Sequence, residues 1–81
     1  MEDDKMNLTE REQEVLYYIT QSLTNKEIAS ILDITHHTVK AHISAILRKL
    51  RCKNRTESAL YALQHDLIET LLTHRRDLEQ P

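Results

Sequence analysis

Apolar residues return at helical spacing in four separate stretches of this chain, and each stretch opens on a residue able to cap a helix. Val15, Leu16 and Ile19 follow Thr9-Glu10-Arg11-Glu12. In that box the Thr9 hydroxyl accepts from the third backbone N–H while Glu12 reaches back, and Leu8 sits where a hydrophobic staple would. A first helix is predicted from about Glu10 to Gln21. Thr24-Asn25-Lys26-Glu27 repeats the device and predicts a second helix, Asn25–Leu32, that turns Ile28, Ala29 and Leu32 inward. At roughly two turns it could not persist alone. Asp33 and Ile34 form a tight connection, and Thr35 is a good cap for a third helix. There Val39, Ile43, Ile46, Leu47 and Leu50 make one apolar stripe, opposite His37, Lys40, Ala41, Ser44 and Arg48. This helix is expected to end near Leu50–Cys52. Asn54 or Thr56 caps a fourth, whose stripe is Ala59, Leu60, Leu63 and Leu67, with Ile68, Leu71 and Leu72 carrying it to about His74. Tyr17, Tyr18 and Tyr61 read as amphipathic rim residues.

The pattern predicts an all-α protein, a four-helix bundle containing a helix-turn-helix. Composition agrees: the 81 residues include no Gly and one Pro, so chain breaks are few. A chain this size is one small domain and buries only about 60% of its unfolded surface. Residues 8–74 are expected to form the domain, 1–7 a disordered N-terminal tail and 75–81 a C-terminal tail. Cys52 is the single cysteine, so no internal disulfide can form, which suits a reducing compartment. No apolar run approaches the ~18 residues of a membrane span, and no signal-peptide pattern opens the chain. The expectation is a cytoplasmic protein with no membrane contact.

Charge sharpens the picture. The chain is formally −2, yet residues 35–55 hold six cations (Lys40, Arg48, Lys49, Arg51, Lys53 and Arg55) and no acid. Residues 1–34 carry eight acids against three bases, and 56–81 five against two. A basic helix between acidic flanks is the electrostatic footprint of a surface that meets phosphates. In a helix-turn-helix, a short helix rests across the phosphate backbone while the next enters the major groove. That second helix needs an apolar side for the core and a small, polar or cationic side for the bases. The third helix satisfies both: Ala41 and Ser44 are small, and Lys40 is long enough to reach a guanine edge.

Leu8-Thr9-Glu10-Arg11-Glu12, Val15-Leu16, Asn25-Lys26-Glu27-Ile28-Ala29, Ile34-Thr35, Thr38-Val39-Lys40, His42, Leu47-Arg48-Lys49-Leu50, Asn54-Arg55-Thr56-Glu57 and Ala59 occur in that order. This series resembles the LuxR/NarL (FixJ)-type helix-turn-helix domains of bacterial transcription regulators, over about Leu8 to Leu67. The resemblance implies a sequence-specific DNA-binding regulator, or the effector domain of one, with helix 3 as recognition helix and helix 4 as a common dimer contact. Carried over by position, Lys40, Ala41 and Ser44 would face bases. Asn25, Lys26, Thr35, Thr38, His42 and Lys49 would face or approach phosphates, with Arg48 and Arg55 added on charge. The implied partners are double-stranded DNA and a second copy of the chain, with RNA polymerase as a further candidate. Two copies would meet through Leu60, Leu63, Gln64, Leu67 and Leu71 on a repeated half-site. Family members often attach such a domain to a phosphoacceptor receiver or a ligand-binding domain, and these 81 residues contain neither.

The family usually places Gly where this chain has Ser22, Asp33 and Arg51. Asp33 tolerates the left-handed backbone fairly well and Ser22 less easily, while Arg51 is expected simply to extend helix 3. Other chemistry finds little footing. His36 and His37 are adjacent and point apart, and His37 to His42 is i,i+5, a poor ligand spacing, so no metal is expected. Glu10, Glu12 and Glu14 read as helix N-terminal charge and solvent-facing acids. No nucleophile arrangement, carboxylate pair or phosphate-cradling loop is visible, so no enzyme, no cofactor and no small-molecule ligand within the domain are expected. Two rivals remain. One is a protein-interaction adaptor using helix 4 and the C-terminal extension. The other is region 4 of a sigma factor, against which the ordered Asn54-Arg55-Thr56-Glu57 and the fourth helix argue.

Overall fold

A computed structural model describes residues 7–65, which hold four helices and the turns between them. Four helices follow in order: α1 Glu10–Thr20, α2 Asn25–Leu32, α3 His36–Leu50 and α4 Arg55–Gln64. α1 packs on α3 and α4, α2 on α3, and α3 on α4. Val15, Leu16, Ile19, Ile28, Val39, Ile46 and Leu50 close the core between them, joined by Tyr18 and Ala62.

Each helix starts where local chemistry dictates. Thr9 and Thr24 form complete capping boxes with Glu12 and Glu27, Thr35 accepts from the Thr38 N–H, and Asn54 accepts from the Glu57 N–H. Such caps are worth about 1 kcal/mol apiece. The first three helices also end alike, and none ends on glycine. Ser22, Asp33 and Arg51 hold φ of 67°, 58° and 58°. After α3, the Arg51 N–H reaches Arg48 O at 3.3 Å and the Cys52 N–H reaches Leu47 O at 2.9 Å. Leu23 to Tyr18 and Ile34 to Ala29 repeat the longer closure at 3.2 and 3.0 Å. In each case the residue after the left-handed position is apolar (Leu23, Ile34, Cys52) and packs on the core. These are Schellman closures, held by two hydrogen bonds and one apolar contact. Arg51 therefore terminates α3 rather than extending it.

Three further expectations are corrected. Glu12 does not face solvent: it is 6% exposed and paired with Lys49. Tyr18 is a core residue, not a rim residue, with its ring edge-to-face against Tyr17 at 5.3 Å. On α4 the inward residues are Ser58 and Ala62, both fully buried, with Ala59 and Tyr61 partly so, while Leu60 and Leu63 are 50% and 57% exposed. Small side chains let α4 lie close on α1 and α3; the Ser58 hydroxyl is satisfied at 2.6 Å by Arg55 O. The continuation of this helix to about His74, the contacts expected of Leu67 and Leu71, and both tails except Asn7 lie outside the described residues. Cys52 is a half-buried free thiol, and burial together with the Glu57 charge holds it protonated above its ordinary range. No helix among the described residues is long and apolar enough to cross a membrane.

Candidate nucleic-acid interface

α3 has the two faces its sequence requires. Val39, Ile46 and Leu50 are buried and Ile43 and Leu47 half-buried, while His36, His37, Lys40, Ala41, Ser44 and Arg48 are exposed. Lys40, Ala41 and Ser44, spaced i, i+1 and i+4, share the exposed side of the helix and sit one turn apart, with Arg48 a turn further. No acid interrupts this surface. Thr35 and Thr38, at its N-terminal edge, join hydroxyls at 2.9 Å. His42 is half-buried beside it.

The N-terminus of α2 adjoins the start of α3. Asn25, Lys26 and His36 line one open hollow of about 660 Å³, together with Ser22, Leu23, Thr24 and Arg55. Lys26 and His36 are exposed there. Thr24 is spent on capping, its hydroxyl accepting from the Glu27 N–H at 3.1 Å. Asn25 is half-buried, and its Oδ1 accepts from the Arg55 guanidinium, which also donates to Leu23 O. α4 thus reaches across to hold the turn from which α2 starts. Arg55 carried only a charge argument in the sequence, and its partners lie 30 and 32 residues away.

Lys49 sits differently from Lys40 and Arg48 on the exposed face of α3. Its ammonium donates to Glu12 Oε1 at 2.8 Å and to Asn7 O at 3.2 Å, and its side chain is 23% exposed. Glu12 Oε1 also accepts from the Thr9 N–H at 3.0 Å. Burial alone would raise the Glu12 pKa. The hydrogen bonds from Lys49 and Thr9, with the charges of Lys49 and His42, outweigh it and hold the carboxyl below its ordinary value. Lys49 therefore ties the C-terminal half of α3 to the start of α1 and to Asn7. Among the described residues no group of three or more His, Cys, Asp or Glu could hold a metal ion.

The pattern of the luxR family of bacterial regulatory proteins matches residues 6–62, which take in α1, α2, α3 and most of α4. The chain is 52% identical over 62 residues to the response regulator protein VraR of Staphylococcus aureus strain NCTC 8325, and equally to VraR of Staphylococcus saprophyticus and of Staphylococcus epidermidis. Each match covers 76% of this chain and 30% of the relative, so the chain spans less than a third of the length of these curated relatives. The family is one of DNA-binding regulators, not enzymes. With an all-α fold, a helix-turn-helix and a matched span of this length, the chain belongs to the luxR family of bacterial regulatory proteins.

Proposed function

We propose that the chain is a sequence-specific transcription regulator module that inserts α3 into the major groove, with Lys40, Ala41 and Ser44 meeting base edges. Asn25, Lys26, Thr35, Thr38 and Arg48 lie beside phosphates in this reading, with His42 at the margin. Lys49 drops out of the phosphate set, because Glu12 and Asn7 already take its ammonium. The observation that carries the reading is the sidedness of α3: its apolar stripe is in the core, and its free face is cationic, small-residued and free of acids. Phosphate contacts supply most of the affinity in such an arrangement, and the base-facing residues supply the choice of sequence.

Two copies binding repeated half-sites suit the exposure of Leu60, Leu63 and Gln64 on α4. The response-regulator names of the relatives support an output role; in this reading the bound module meets RNA polymerase in the cytoplasm. The test is selection of bound fragments from a random duplex library, followed by Lys40→Ala on the recovered site. Loss of Lys40 should weaken the selected site by about 1–3 kcal/mol and relax discrimination at one base position. Equal losses on selected and random duplex would assign Lys40 to a phosphate instead.

A further inference from the structure

Arg55 occupies the first turn of α4, yet both of its side-chain acceptors are at the start of α2. One is the carbonyl of Leu23, in the turn between α1 and α2. The other is Oδ1 of Asn25, the first residue of α2. A guanidinium has five N–H donors and no acceptor, whereas a carboxamide has an acceptor on one branch and two donors on the other. Arg55 can therefore bind Asn25 only through Oδ1, which turns the Nδ2 branch away from the guanidinium. Among the described residues nothing accepts from that NH2 group. It belongs to a residue lining the same hollow as Lys26 and His36.

A phosphate oxygen only accepts hydrogen bonds. With its amide reversed, Asn25 would offer a carbonyl oxygen to the DNA backbone and repel it. With Arg55 in place, it offers two N–H donors. From this geometry we infer that Arg55 is a positioning residue for DNA binding. It locks the Asn25 carboxamide in the one orientation that can donate to a backbone phosphate, and it steadies the turn that delivers α2 to the duplex. The inference rests on the DNA-binding reading above and adds to it how one contact is set. α2 needs such support, because it is only two turns long and α3 is its main packing partner.

The test is a double-mutant cycle on the full 81-residue chain, with affinity measured by fluorescence anisotropy on a duplex that the wild-type chain has selected. Arg55→Lys keeps the positive charge but cannot hold Leu23 O and Asn25 Oδ1 together in one planar fork. Asn25→Ala removes the group being positioned. Thermal melting of all four proteins ensures that binding is read on folded material. Arg55→Lys should weaken binding about tenfold in the wild-type background, the scale of one lost hydrogen bond to a charged group. In the Asn25→Ala background the same change should cost no more than about threefold, because only the tie to Leu23 O remains to be lost. Equal losses in both backgrounds would overturn the inference, since Arg55 would then touch phosphate itself or act elsewhere; so would no loss in either. A wild-type chain that selects no duplex would instead overturn the DNA-binding reading, an outcome distinct from a failed cycle.

Discussion

Replacing Lys49 by Met separates two roles that one cation could play. In the fold its ammonium sits 2.8 Å from Glu12 Oε1, and the two side chains are 23% and 8% exposed. An exposed pair contributes about 0–1 kcal/mol, and stripping the partner from a fully buried charge costs about 3–5 kcal/mol. This pair lies between those limits, so Lys49→Met should destabilise the domain by about 2 kcal/mol at neutral pH. For a domain of this size that lowers Tm by roughly 8–16 °C. Glu12→Gln should cost only about 1 kcal/mol, because a Gln at this position still completes the capping box with Thr9. The pH dependence follows from the direction of the Glu12 shift. Its carboxyl is held below its ordinary value of 4.5 in the folded chain. The stabilisation is complete above the unfolded-chain value and is lost as pH falls through the lower folded-state value. Wild type and Lys49→Met should therefore converge in stability in acid, and Glu12→Gln should flatten the acid limb of the wild-type curve. Urea unfolding followed by circular dichroism across the acid range measures all three. A Lys49→Met protein as stable as wild type at neutral pH, with a salt slope for DNA binding shallower by about one phosphate contact, would refute the assignment and return Lys49 to the DNA.

Ser22→Gly and Arg51→Gly should each raise Tm, by no more than about 1 kcal/mol of stability, because relief of the left-handed backbone is partly offset by a looser unfolded chain. Asp33→Gly should gain less, since Asp tolerates that region, and a lower Tm for all three would mean the turns are built otherwise. Leu63→Glu should leave the melting curve nearly unchanged, because the side chain is 57% exposed, while reducing self-association in sedimentation and cooperativity on a two-half-site duplex. An unchanged sedimentation profile with intact cooperativity would move the dimer contact off α4.

What the sequence reveals follows the range of the interactions. Thr9, Thr24, Thr35 and Asn54 announce their helices because each cap acts on a backbone N–H three residues away. The outward residues of α3 are legible because one continuous stripe, Val39 to Leu50, leaves only one face free. The Glu12–Lys49 pair and the Arg55 clamp span 37 and 30 to 32 residues, and no local pattern encodes which distant partner a charge will find. Helix α4 misleads for another reason. Its leucines look like the core stripe, but close approach to α1 and α3 favours the small Ser58 and Ala62. Arg51 misleads because its left-handed backbone depends on the apolar Cys52 behind it and on two carbonyls of α3, not on its own preference.

A nuclear magnetic resonance titration of the chain with a duplex it has selected, following backbone amides and the Asn25 side-chain amide, reads the DNA-facing surface residue by residue. Shifts should gather on Asn25 and Lys26 and along His37, Lys40, Ala41, Ser44 and Arg48, while buried Val39 and Ile46 move little. Shifts confined to Leu60, Leu63 and their neighbours, with Lys40 and Ser44 silent, would contradict it.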